Sequence, residues 1–187
     1  MNDKNHIDLP DEIMDSMIFE HSHGILIELL KRKPELMDDL TWIVYEFLKD
    51  IDEDDIKNEL YCILDNITIE EVFENSGSTR FGYVDPSDLA REMFGEEVGP
   101  MVAEGRKYHD LGMMEERDIY FRGILGGLHR FDTESNSYFR ELIPDTPKET
   151  FKGVVDEWKE LSKDPEMVDE YVQKNFEYEI NEGEIFQ

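Results

Sequence analysis

The stretch Leu36-Met37-Asp38-Asp39-Leu40-Thr41-Trp42-Ile43-Val44-Tyr45-Glu46-Phe47-Leu48 decides the fold class. Its apolar residues Leu36, Leu40, Ile43, Val44, Phe47 and Leu48 fall at i, i+4, i+7, i+8, i+11 and i+12, the stripe of an amphipathic helix. Trp42 and Tyr45 flank that stripe, so the helix is apolar over a wide arc. Such a helix is either central in a bundle or part of a groove for a partner helix or peptide, and the central position is the expectation.

The same period recurs toward the C-terminus, in Phe151, Val154, Val155 and Trp158 and again in Val168, Tyr171, Val172 and Phe176. Alternation over a strand length is hard to find. Helix openings agree with the stripes: Asp85-Pro86, Thr146-Pro147-Lys148-Glu149 and Asp164-Pro165 each place a capping oxygen before a proline whose missing N–H costs nothing there. Pro10 and Pro34 fit helix starts as well. Helices are predicted at about 10–32, 34–49, 54–65, 69–75, 86–94, 98–111, 115–130, 147–163 and 165–177, with a short one near 138–143. No fixed-period repeat joins them. The fold class is therefore all-α, an irregular bundle or stack of roughly eight to nine antiparallel amphipathic helices.

Acidic residues run through both halves of the chain, which favours one helical domain over 1–187. A loop division is expected near 76–84, where Ser76-Gly77-Ser78-Thr79-Arg80-Phe81-Gly82-Tyr83 interrupts the helical pattern, and a loosely held tail over 180–187.

Among the 187 residues, 19 are basic and 47 acidic, a formal net charge of −28. That excess opposes a nucleic-acid backbone or an anionic membrane surface, while 39 % hydrophobic residues suffice for a core. The single cysteine, Cys62, excludes an internal disulfide framework and is expected in the core. No apolar run reaches a membrane-spanning length and no signal pattern opens the chain, so the expectation is a cytoplasmic protein.

The histidines are the first candidates for chemistry. Glu20-His21-Ser22-His23 holds a Glu-x-x-His spacing used by carboxylate-bridged di-metal sites, but in one copy. His21 and His23 also lie about 200° apart on a helix, too far to share an ion. His21 falls on the stripe Met14, Ile18, His21, Ile25 and Leu29, which favours a partly buried structural histidine. His109-Asp110 resembles the dipeptide at the core of one superfamily of helical metal-dependent phosphohydrolases, and the resemblance ends there. Gly112 fits a helix C-cap just beyond it. Convergence of His21, His23, His109 and Asp110, with His129, on a divalent transition metal would make a hydrolase or oxygen-activating enzyme.

Other patterns fall short of a site. Asp50-Ile51-Asp52-Glu53-Asp54-Asp55 lacks the glycine and the final glutamate of a calcium loop and reads as an acidic helix start. Gly123, Gly126 and Gly127 match no phosphate-binding spacing and suit close approach of two helices. Asp132 is expected to pair with His129 or Arg130. With no complete catalytic motif, the leading expectation is a non-enzymatic adaptor or chaperone-like module that binds a protein or peptide, its acidity suited to a basic partner.

Overall fold

A computed structural model describes the backbone of residues 11–80 and 82–176, with side chains from residue 21 onward apart from that of residue 79. The expected tail over 180–187 lies outside these residues. The described part is all-α: nine α-helices, one 3-10 turn and one small hairpin. The helices are α1 (Asp11–Arg32), α2 (Met37–Lys49), α3 (Glu53–Asp65), α4 (Ile69–Asn75), α5 (Pro86–Asp110), α6 (Met114–Glu134), α7 (Tyr138–Leu142), α8 (Thr146–Leu161) and α9 (Pro165–Asn175). The chain forms two compact units, Met1–Asp50 and Ile51–Gln187.

In the first unit, α1 leads into α2 through the 3-10 turn Pro34–Leu36, with Pro34 at its start. The second unit is built around α6, whose neighbours are α3, α5 and α8. Phe121, Ile124, Leu125, Leu128 and Phe131 of α6 are fully buried, and the Phe121 ring stacks on Trp158 of α8 with centroids 6.2 Å apart. Burial of this apolar surface is the main force holding the unit together.

Local signals account for most element ends. Asp52 caps α3 by accepting hydrogen bonds from the N–H groups of Asp54 at 2.8 Å and Asp55 at 3.2 Å, so the acidic run is a helix start as expected. Thr68 and Glu71 form a reciprocal capping box at α4. Gly112, at φ 76°, closes α5 in a Schellman motif, its N–H reaching the His109 carbonyl while the Met113 N–H reaches that of Tyr108.

Three local expectations are corrected. The predicted helices over 86–94 and 98–111 are one helix, because Ala90, Phe94, Val98, Met101, Gly105 and Tyr108 carry a single buried stripe past Pro100. Segment 76–84 contains paired strands β1 (Gly77–Thr79) and β2 (Gly82–Val84), with Gly77 and Gly82 at positive φ. Cys62 is exposed, since it lies across α3 from the buried Ile56, Leu60 and Leu64. At the end of α6 the Asp132 carboxylate also accepts from Arg140 at 2.6 Å, while Arg130 bonds Glu134 at 2.8 Å and Asn58 at 2.7 Å.

Three hydroxyls in the second unit set an alkaline limit. Burial raises the Tyr171 pKa, and a 2.8 Å hydrogen bond donated to Glu53 and that carboxylate's charge raise it further. Burial pushes Tyr120 up to about 12 and also raises Tyr108. Because the folded values exceed the unfolded one of 10.0, this stabilisation is complete below pH 10 and is lost as pH rises toward 12. Chemical denaturation across pH 8 to 12 should show stability falling only above about pH 10. Tyr171→Phe should make that fall shallower; an unchanged slope would contradict the assignment.

Candidate functional site

The apolar surface of the first unit is open. None of residues 21–50 is buried, and only Leu30, Leu36, Leu40 and Leu48 are half-covered. The expectation that α2 is central is therefore corrected: α2 buries no residue. Its wide apolar arc reflects exposure and not burial on two sides.

At about 100° per residue, Met37, Leu40, Ile43, Val44, Phe47 and Leu48 share one arc of α2. Phe47 is 76 % exposed, and Met37, Ile43 and Val44 are exposed as well. The opposite side carries Asp38, Asp39 and Glu46, each one helical turn from Trp42, which is 65 % exposed. Tyr45 stands one turn further on, with the Lys49 ammonium 4.6 Å from its ring centroid. Thr41 Oγ donates to the Met37 carbonyl at 2.8 Å, and the Asp50 N–H closes the helix on Phe47. Tight apolar packing is thus available on one side of α2 and cation binding on the other.

α1 is similarly open over its described side chains. Ile25, Leu26, Ile27 and Leu29 are exposed, so this stretch is apolar around most of its circumference. His21 and His23 are exposed on the same helix, and the partly buried position expected for His21 is not observed. His21, Gly24, Ile25, Glu28, Leu29 and Arg32 line a shallow depression, crossed by a 2.9 Å Glu28–Arg32 ion pair.

The remaining metal candidates lie in the second unit. His109 is half-buried, and its Nδ1 stands 3.3 Å from the Arg117 guanidinium, which fills one ligand position with a cation. Asp110 is exposed at the end of α5. The His129 ring packs on Phe176 at 5.2 Å. Among the described residues, no group of three or more His, Cys, Asp or Glu side chains is placed to hold a metal ion. No helix of the described residues is long and apolar enough to cross a membrane.

Sequence reasoning missed Arg117, which is buried at 3 % exposure. It donates to the Leu161 carbonyl at the end of α8 at 2.6 Å and, through Nε and Nη2, to Asp118 at 2.9 and 2.7 Å. Asp118 also accepts from Trp158 Nε1 at 2.7 Å. This cluster satisfies a carbonyl left over at a helix end and ties α8 to α6, so its role is structural. The only cue in the sequence is an Arg-Asp pair near a helix start, which is ordinary on a surface.

A second groove runs between α5 and α8, lined by Gly95, Val98, Gly99, Val102, Gly153 and Val154. Arg106 and Glu157 close one end with a two-pronged ion pair, whose second bond is 2.6 Å. The guanidinium holds the Glu157 carboxyl below its ordinary pKa.

Compared with protein-family models, curated proteins and solved structures, the chain matches none.

Proposed function

We propose that this protein is a binding module whose first unit docks a helix or peptide of another protein. The observation that carries the reading is the open apolar arc of α2, a helix of 13 residues with no buried side chain. Contiguous exposed apolar surface at a polar border marks association sites on soluble domains. Helix-in-groove recognition uses anchors at the i, i+3/i+4, i+7 spacing, as Leu40, Ile43, Val44 and Phe47 supply. The exposed stretch Ile25–Leu29 of α1 adds to the apolar surface of the same unit.

Titrating the full chain with a designed amphipathic helix of leucine and lysine should give saturable heat of binding in calorimetry, and Phe47→Asp on the exposed arc should weaken it. No binding at any peptide concentration, or binding that Phe47→Asp leaves unchanged, would count against the reading.

A further inference from the structure

We infer that α1 pairs with α1 of a second copy of this chain, antiparallel and about a two-fold axis at its midpoint, independently of what docks on α2. α1 is a helix of 22 residues, about 33 Å long. Of its described side chains, those of residues 21–32, only Leu30 is half-covered and none is buried. A helix apolar around most of its circumference needs a cover in water, and α1 shows Ile25, Leu26, Ile27 and Leu29 to solvent.

The order of residues along the helix selects that cover. Met14, Ile18, His21, Ile25 and Leu29 recur at i, i+4, i+7, i+11 and i+15, one stripe at helical period. The helix midpoint falls between His21 and Ser22. Two copies run in opposite directions about that point set Ile18 level with Ile25 and Met14 level with Leu29, each twice over. The same register sets Asp11 level with Arg32, and both positions lie within about 60° of the stripe. Charge follows this symmetry. Residues 11–20 hold Asp11, Glu12, Asp15 and Glu20 and no base, whereas Lys31, Arg32 and Lys33 are the chain's one run of three consecutive bases. Antiparallel copies bring the acidic half of each helix beside the basic end of the other, while a parallel pair would set like against like. The face over residues 21–32 is the shallow depression lined by His21, Gly24, Ile25, Glu28, Leu29 and Arg32, where Gly24 contributes no side chain. Repulsion between two chains of net charge −28 is screened beyond about 8 Å at physiological ionic strength, whereas opposite charges at the interface act at contact.

The test is sedimentation equilibrium of the full chain, with thermal unfolding alongside. A concentration-dependent monomer–dimer equilibrium is expected. Ile25→Asp should weaken it at least ~100-fold, since each substitution enters the interface twice, and should leave the unfolding transition of the second unit where it was. Asp11→Arg alone should weaken the dimer about 10-fold, and Asp11→Arg/Arg32→Asp should restore it, because the exchange rebuilds the same pair between copies. If the charge order served only the dipole of a single helix, the exchanged variant would be the weaker of the two, which would overturn the register. A chain that stays monomeric at every concentration would overturn the inference, and a monomer whose unfolding temperature falls with Ile25→Asp would assign the cover of α1 to the chain itself. A dimer untouched by Ile25→Asp and abolished by Phe47→Asp would place the second copy on α2 and overturn it as well.

Discussion

Replacing Arg117 by alanine should lower the stability of the second unit by about 3–5 kcal/mol, the cost of breaking a buried ion pair from one side. Three losses combine in this one change. The Leu161 carbonyl at the end of α8 loses a 2.6 Å donor, and Asp118 loses both prongs of the guanidinium. Trp158 Nε1 still donates to this carboxylate, whose side chain is 20 % exposed. Arg117→Lys keeps the charge without the planar fork, so its loss should be smaller but still measurable. Urea denaturation followed by Trp158 fluorescence measures both. A loss below about 1 kcal/mol for Arg117→Ala would mean that water replaces the guanidinium at little cost, as at a surface pair.

Gly123 and Gly127 should give the second large effect, opposite in sign to their neighbour Gly126. A methyl at Gly123 would stand 2.6 Å from Ile56 Cβ and 3.0 Å from the Glu53 carbonyl. At Gly127 it would stand 2.8 Å from Leu60 Cβ and 3.0 Å from the Lys57 carbonyl. These obstacles belong to the α3 backbone and the roots of its side chains, so α3 and α6 must move apart. Overpacking of this kind costs about 1–3 kcal/mol, against about 1 kcal/mol that alanine gains over glycine in a helix. Gly123→Ala and Gly127→Ala should each destabilise by up to about 2 kcal/mol net. At Gly126 the nearest atoms are the Lys57 Cδ and Cγ at 3.1 and 3.2 Å, part of a flexible side chain that can swing aside. Gly126→Ala should therefore be neutral or stabilise by up to about 1 kcal/mol. Thermal unfolding of the three variants in parallel checks the contrast, and a uniform response would contradict the crossing geometry.

The helices of the second unit were legible in the sequence because they bury one face, and period then reports structure directly. The stretch Ile69–Asn75 shows this in its length, and Phe151, Val154, Val155 and Trp158 in their burial. Where the period carries no information about what covers a face, the same reasoning misplaced α2. An apolar arc looks identical whether a bundle or solvent lies beside it, so Trp42 and Phe47 read as core. The hairpin over 77–84 was hidden because strands of three residues are too short to show alternation. Gly112 was legible because a helix end needs a residue that tolerates positive φ. Arg117 was not, since it bonds the Leu161 carbonyl at the end of α8 and its partner Asp118 bonds Trp158, both about forty residues away along the chain.

The placement of His109 illustrates the difference between spacing and geometry. The dipeptide His109-Asp110 stands at the end of α5, where Gly112 closes the helix and Arg117 approaches Nδ1. A cation beside the imidazole favours its acceptor role at that nitrogen over metal ligation there. Docking, as proposed for the first unit, needs no such cluster, since it is a matter of exposed apolar area.

The most direct test is calorimetric titration of a designed amphipathic helix of leucine and lysine into the full chain and into Ile43→Asp/Phe47→Asp, with thermal unfolding of both proteins alongside. Neither residue is buried, so the account predicts that binding weakens at least ~100-fold while the unfolding transition of the second unit stays where it was. Undiminished binding by the variant, or an unfolding temperature lowered by the substitutions, would show that the arc serves the protein's own fold and would contradict the account.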